Sequence, residues 1–197
     1  KIKGEHIAPA VDYICAEYEK SLNLIENDNS APSWDNVIEP LIELNEKLHN
    51  IWGPVAHLVH VKYNDSLRKA YEQVQPKIVA LGLRASQSKK LYQKYKIIKN
   101  STSWGNYTTG QKRTIEGSII DAEISGIALD GDEQKRFNEI KRELSNLSTK
   151  FTNNVSDSMK AWTKTLNEKS QVDGLPSSVL AQLSAEFADA GKGETTP

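Results

Sequence analysis

Two histidines lie close enough in the sequence to suggest a metal site. His57 and His60 are three residues apart in a segment with helical periodicity, so both imidazoles can lie on one side of a helix. Zinc sites use three or four ligands, and no carboxylate lies between these histidines as it does in the His-Glu-x-x-His zinc motif. We therefore interpret the pair as structural or incidental and predict no metal ligand in this chain. A small metal-binding protein built on His57 and His60 is a weaker alternative.

The other reactive side chains also favour structural roles. Cys15 is the single cysteine, which excludes an internal disulfide framework, and it lies on the apolar stripe of the first predicted helix. Nothing near it in sequence would depress its pKa, so we interpret it as a packing residue. Asp121 and Glu123 flank an apolar position, and Glu139 and Glu143 are four residues apart among lysines, which is typical of solvated ion pairs on a helix. The sequence thus predicts no catalytic residue.

Several classes of partner are disfavoured by composition and by missing motifs. The sequence has neither a glycine-rich phosphate loop nor a G-x-S-x-G nucleophile elbow, so we predict no cofactor-binding residue. There are 25 Lys and Arg residues against 26 Asp and Glu, a net charge of -1, and the tryptophans are scattered. We therefore predict no nucleic-acid partner. No apolar run approaches the length of a membrane span, so no membrane partner is predicted either.

A run of lysines and tyrosines over 89–99 is the one segment that resembles a basic aromatic patch. The spacing of its apolar residues favours a short helix, on which the tyrosines pack inward and the lysines stay in solvent. We prefer this interpretation because one short helix of lysines is an ordinary solvated face.

Apolar residues recur every three or four positions through most of the chain, and no segment alternates as a strand does. We predict N-caps at Ser33, Asp65 and Thr109, a kink at Pro40 and a break or bend at Gly53-Pro54. A further, largely buried helical run is expected from Val55 to about Tyr63. In the first helix the predicted inward stripe is Val11, Ile14, Cys15, Tyr18, Leu22 and Ile25.

The longest predicted helix is capped by Asp132 and carries an apolar stripe that we expect to face the core. Its members are Phe137, Ile140, Leu144, Leu147, Phe151 and Val155, with Trp162 at its end. Together these patterns predict an all-α fold of antiparallel, partly kinked helices packed as a bundle-like array.

Several segments of the chain resemble one known family. The opening Lys1-Ile2-Lys3-Gly4-Glu5-His6-Ile7-Ala8-Pro9-Ala10, the blocks at 34–41, 52–58 and 66–72, and the run from Ser125 to Leu129 carry the likeness. The most specific part joins that run to Asn153-Asn154-Val155-Ser156-Asp157. In order and spacing these segments are similar to the amino-terminal helical segment of the thimet oligopeptidase family of zinc metallopeptidases, in members of bacterial or plant organellar type.

The resemblance implies a role beside a catalytic centre. Family members hydrolyse short peptides, including cleaved signal or targeting peptides, inside a narrow channel that excludes folded proteins. Two histidines and a glutamate hold Zn²⁺, and the glutamate of a His-Glu-x-x-His helix activates the bound water. No such motif occurs in this sequence, so none of these roles is carried onto any residue here, and His57 and His60 are not those ligands.

The resemblance also suggests a domain organisation. Residues 1–165 are expected to form the helical amino-terminal domain, and residues 166–197 a turn, a short helix and a flexible stub leading to the catalytic part. Zn²⁺ belongs to the parent enzyme, and none is expected in this chain. The expected partners are short peptides and the remainder of the polypeptide, in a monomeric parent.

Two questions stay open at this point. The expected location is the cytoplasm, with the mitochondrion or chloroplast as an alternative, because family members occur in each. A free-standing α-helical protein-interaction module is the alternative to an oligopeptidase segment. The two differ in whether the reading frame continues into a His-Glu-x-x-His helix.

Overall fold

A computed structural model describes residues 2–62 and 64–189, and regular structure in that part of the chain is helical throughout. The α-helices are α1 Gly4–Asn27, α2 Glu39–Val61, α3 Asp65–Ser86, α4 Lys89–Lys99, α5 Thr109–Ile124, α6 Gly131–Ala161 and α7 Ser177–Asp189. A π-helical turn, Trp34–Ile38, precedes α2, and short 3-10 helices lie at Thr102–Asn106 and Lys169–Val172. The prediction of an all-α, bundle-like fold is confirmed.

The chain forms two compact units, Lys1–Lys150 and Phe151–Pro197, and α6 crosses the boundary between them. The predicted division after residue 165 therefore stays a prediction. The second unit holds the end of α6, a 3-10 turn and α7, and Gly174 adopts a positive φ of 85° in the turn before α7. The expected flexible stub falls on residues 190–197, outside the described residues.

Helix α1 forms the centre of the first unit. Its inward residues step by three or four positions, and α1 packs along both α2 and α3. The predicted stripe is confirmed, with Cys15 half-buried. One end of α1, around Ile7 and Val11, packs with α3 residues such as Val74, and the other end, around Leu22, packs with α2, α4 and α5. The core is therefore two apolar clusters joined along one helix.

The start of α2 explains how the chain accommodates Pro40. Ser33 is the N-cap, as predicted, and its Oγ accepts a hydrogen bond from the Asn36 amide at 3.3 Å. The Glu39 amide then donates to the Trp34 carbonyl, five residues back, which is the π-helical pattern. Pro40 therefore lies in the first turn of α2, where its missing N–H costs little. The predicted interior kink at Pro40 is wrong.

At Gly53-Pro54 the expected break is wrong, and the alternative, a bend, stays a prediction. Helix α2 continues through Pro54 to Val61, and Val55 is buried on the same face as Leu44. Tertiary packing on both sides of the proline outweighs the loss of one backbone hydrogen bond. The separate, largely buried run expected from Val55 to Tyr63 is therefore not a separate helix. Its described part exposes Val61, and Tyr63 lies outside the described residues.

Two predicted caps are each displaced by one residue. Asn64, not Asp65, accepts the hydrogen bond from the Leu67 amide at 2.8 Å. Thr108, not Thr109, accepts from the Gln111 amide at 3.2 Å. In both places neighbouring residues are good cap formers, and the geometry of the chain entering the helix selects the earlier one.

Helix α6 departs most from expectation. It begins at Gly131, so Asp132 lies in its first turn, and none of its residues is buried. The predicted core-facing stripe is wrong: only Phe137 is half-buried, close to Gly126, while the remaining members are exposed.

We expect Gly4→Ala to lower the free energy of unfolding of the first unit by about 2 kcal/mol. A Cβ atom at Gly4 would overlap Ser66 Oγ and lie 2.7 Å from the Ser66 backbone carbonyl oxygen. Backbone at the start of α3 cannot move aside as a flexible side chain does. Urea denaturation followed by tryptophan fluorescence measures the loss.

Gly82→Ala is the matched control, because a Cβ there meets nothing within 4 Å. Alanine is the better helix former, so this variant is expected to gain about 0.5–1 kcal/mol. Equal effects of the two substitutions would contradict the close approach at Gly4.

Candidate functional site

The two histidines that suggested a metal site lie on the exposed side of α2. His57 and His60 are both exposed. Nowhere in residues 2–62 and 64–189 does the structure gather three or more His, Cys, Asp or Glu side chains that could hold a metal ion. The pair therefore lacks the further ligands that zinc requires, and the described residues do not fit a zinc centre.

Cys15 is a free thiol that contacts both apolar clusters of the first unit. Burial raises the pKa of this thiol, and the nearby carboxylate of Asp12 raises it further. Because the thiolate is the nucleophilic form, both effects suit a packing residue better than a reactive one. The absence of a catalytic role for Cys15 stays a prediction.

The carboxylates singled out from the sequence do not converge on one place. The Tyr92 hydroxyl donates to Glu123 at 2.8 Å, and Arg136 pairs with Glu139 at 3.5 Å on the surface of α6. Asp121 lines a groove of the first unit, whereas Glu143 is exposed on α6. The arrangement offers ion pairs and tyrosine contacts rather than a general acid and base across a shared pocket.

The run of lysines and tyrosines over 89–99 forms helix α4. Tyr95 packs against the apolar cluster, as predicted, but Lys94 is only 8% exposed, contrary to the expectation that the lysines stay in solvent. The Lys94 ammonium donates to the Asp28 carbonyl at 2.6 Å, which satisfies the buried charge and closes the loop after α1. The other lysines also have partners within the chain: Lys89 with Asp130, Lys90 with Asn27, Lys96 over the Tyr92 ring and Lys99 with Glu116.

A buried polar network joins α1, α3 and α4. Glu26 accepts two hydrogen bonds from the Arg84 guanidinium, at 2.7 and 2.6 Å, and a third from the Ser88 hydroxyl. The bonds from Arg84 hold the pKa of Glu26 below its ordinary value against the opposing effect of burial, and the bond from Ser88 adds to this. The residue pattern does not predict this network. The one sequence feature that points to it is the position of Glu26, four residues after Leu22 on the edge of the apolar stripe.

The helices of the first unit enclose a groove of about 420 Å³, and Ser88 is the member of the network that lines it. Its walls come from α1 to α5 and the residues that precede α2 and α4, and they are largely apolar, with Leu41, Leu81 and Leu91 among them. In this wall the Tyr18 hydroxyl donates a hydrogen bond to Asn45 Oδ1 at 2.8 Å. Asp121 is the charged side chain among the lining residues. The groove therefore suits an apolar group and disfavours an anion.

Besides the groove, the first unit exposes the apolar stripe of α6 up to Lys150. Ile140, Leu144 and Leu147 are 40%, 57% and 54% exposed. The same helix contacts α3 through polar side chains: Gln75 bonds Ser145 at 3.1 Å and Thr149 at 2.9 Å. Hydrogen bonds from the polar side of α6 thus connect this helix to α3.

The second unit carries its own exposed apolar side chains. Phe151, Met159 and Trp162 are each more than two-thirds exposed, at the end of α6 and just beyond it. Amphipathic helices of this kind ordinarily cover their apolar side in the complete protein.

Comparison with known proteins gives these exposed surfaces a context. The sequence profile of the family described as "Neurolysin/Thimet oligopeptidase, N-terminal domain" matches residues 11–134, well over half of the chain. The chain belongs to this family. The matched region ends in the first turn of α6, before the apolar stripe of that helix begins.

Individual relatives extend the match over nearly the whole chain. Oligopeptidase A of Haemophilus influenzae is 40% identical over 190 residues, covering 94% of this chain and 28% of the relative. The Arabidopsis thaliana protein "Probable cytosolic oligopeptidase A" is 37% identical over 179 residues, covering 91% and 25%. "Organellar oligopeptidase A, chloroplastic/mitochondrial" from the same plant is 34% identical over 195 residues, covering 99% and 24%.

The chain thus spans about a quarter of the length of these oligopeptidase relatives. The resemblance identified from the sequence is confirmed, and the relatives are peptidases that are named for both cytosolic and organellar locations. None of the described helices is both long and apolar enough to cross a bilayer.

Proposed function

We propose that this chain is the non-catalytic, N-terminal segment of a zinc-dependent oligopeptidase. The observation that carries the proposal is the match of the family's N-terminal domain to residues 11–134, together with relatives about four times longer than the matched segment. The parent protein hydrolyses short peptides inside a narrow channel, and cleaved signal or targeting peptides belong to this substrate class. The segment contributes a helical wall that excludes bulky substrates.

In this proposal the zinc ion is held outside the chain. His57 and His60 lack further ligands in the described structure, so no step of peptide hydrolysis is assigned to them. The residues of this chain act by position: the Glu26–Arg84–Ser88 network fixes three helices, and the wall that they form limits what reaches the catalytic part.

The proposed location follows the names of the relatives. The parent is cytoplasmic, with a mitochondrial or chloroplast enzyme as the alternative, because relatives of both kinds match the chain at similar identity. A monomeric parent is part of the proposal. A free-standing α-helical interaction module is the second candidate function. It is favoured by the exposed apolar side chains of α6.

A chimera tests the oligopeptidase proposal. The segment of Haemophilus influenzae oligopeptidase A that matches this chain would be replaced by the chain itself, since the two are 40% identical over 190 residues. We expect the chimera to cleave a short fluorogenic peptide at a rate within about tenfold of the relative, a change of roughly 1.4 kcal/mol in activation free energy. The isolated chain should cleave none.

The controls separate the proposals. A chelator should abolish the activity of the chimera, and added Zn²⁺ should restore it. Chelator-sensitive cleavage by the pure isolated chain would show that it is catalytic. A folded but inactive chimera in which the chain does not pack on the oligopeptidase would favour the free-standing module instead.

A further inference from the structure

Helix α6 is oriented in an unusual way within the first unit. Successive helical residues are about 100° apart, so Asn138, Ser145 and Thr149 share one face. This polar face meets α3 and its C-cap, where Gln87 donates to Asn138 at 2.7 Å and Gln75 donates to Ser145. The apolar stripe therefore points away from α3.

The exposed members of that stripe in the first unit are Ile140, Leu144 and Leu147, called here the α6 stripe. They lie roughly opposite the polar face and are 40–57% exposed. A helix ordinarily buries its apolar face and solvates its polar one, because transfer of apolar area from water is the main source of its stability. A helix that turns its polar face to the protein and its apolar face to solvent lacks its principal packing partner.

The matches to relatives indicate what that partner is. The profile of the family's N-terminal domain matches up to residue 134, before the stripe begins, whereas the relatives match through α6 and beyond. The helix is thus shared with proteins in which roughly three-quarters of the polypeptide lies outside the matched segment. The stripe lies past the last residue that the domain profile matches, in a helix that these longer relatives share.

We propose that the α6 stripe is the surface on which the remainder of the oligopeptidase polypeptide packs, through an apolar face of its own. The proposal rests on the proposed function, because that remainder is the partner it names. A second copy is the less favoured occupant: three partly exposed side chains offer far less than the roughly 800 Å² per partner that a stable interface buries.

Hydrogen exchange on the isolated chain and on the chimera with Haemophilus influenzae oligopeptidase A tests the proposal. Backbone amides of residues 140–150 should exchange at least about tenfold more slowly in the chimera, because packing on the stripe adds protection. Exchange at the same rate in the two proteins would overturn the proposal.

Paired variants show whether the stripe itself is responsible. In the chimera, Leu144→Lys with Leu147→Lys should return residues 140–150 to the fast exchange of the isolated chain. The control, Glu143→Gln with Asn146→Lys, changes the net charge by the same +2 at exposed polar positions and should leave the protection unchanged. Protection that survives the lysine pair, or is lost equally in the control, would overturn the proposal.

A measurement on the isolated chain is independent of whether the chimera folds. The lysine pair should leave its thermal midpoint nearly unchanged, because Leu144 and Leu147 are both more than half exposed and belong to neither apolar cluster. A clear fall in the midpoint would overturn the proposal. So would a chimera whose protection comes with a concentration-dependent dimer that the lysine pair dissociates, since a second copy would then cover the stripe.

The readouts distinguish the two proposals. An active chimera with an unprotected α6 stripe overturns the docking surface and leaves the oligopeptidase segment standing. A folded, protected but inactive chimera supports the docking surface and contradicts the role in peptide hydrolysis.

Discussion

Leu22→Ala is expected to lower the free energy of unfolding of the first unit by about 3 kcal/mol. Leu22 is 0% exposed, and it packs in the cluster that joins α1 to α2, α4 and α5. Truncation removes three carbon atoms from a site whose neighbours come from four helices. Because the Glu26 network ties α1 to α3 and α4, the site cannot fully collapse to fill the cavity, so the cost includes the cavity as well as the lost burial.

Leu24→Ala provides a control of identical chemistry on the same helix. Leu24 is 66% exposed, so its truncation should change the unfolding free energy by less than about 0.5 kcal/mol. Urea denaturation at pH 7, followed by tryptophan fluorescence, gives both values. Similar losses at the two positions would contradict the inward orientation of Leu22 and the position of the core.

The helices that could be predicted from the sequence are those whose partners lie within the chain. In α1 the three- and four-residue spacing identified the buried face correctly, because α2 and α3 supply apolar surface to cover it. The same spacing in α6 is equally clear, yet its stripe is exposed. Periodicity shows that a helix has an apolar face, but it does not show which polypeptide covers that face.

The predicted starts of several helices were wrong for a different reason. At Asn64-Asp65 and Thr108-Thr109 neighbouring side chains can each accept the capping hydrogen bond, and the choice depends on the direction in which the chain enters the helix. At Pro40 the missing donor was anticipated. The π-helical turn that makes the proline harmless depends on a bond between Glu39 and Trp34 that no residue pattern specifies.

The functional features also divide into those that the sequence predicts and those that it does not. Family membership could be recognised because the segments that carry it are contiguous in sequence. The network of Glu26, Arg84 and Ser88 could not be predicted, because Glu26 lies about sixty residues before the other two. A charged residue at the edge of an apolar stripe is also ordinarily solvated. The inward turn of Lys94 has the same origin, since its acceptor is the backbone carbonyl of Asp28.

Arg84→Met should destabilise the first unit by about 2–4 kcal/mol at pH 7, because it leaves the buried Glu26 carboxylate without its principal partner. The Glu26 side chain is 6% exposed, but Arg84 is 35% exposed, which places the effect below that of a fully buried pair. Arg113→Met is the control: Arg113 is exposed on α5, and its loss should cost less than about 0.5 kcal/mol.

The loss should also depend on pH in a defined direction. The pKa of Glu26 is lower in the folded protein than its ordinary 4.5, so the pair stabilises the fold above that pH and the contribution disappears as the pH falls through the folded-state pKa. The difference between wild type and Arg84→Met should therefore be largest near neutrality and shrink as the pH falls below 4.5. Adding Glu26→Gln to Arg84→Met should recover part of the loss at pH 7, because no charge is then left buried. A loss that is the same at pH 3 and pH 7, and that Glu26→Gln does not relieve, would mean that Arg84 acts through the packing of its aliphatic stem rather than through the charge of Glu26.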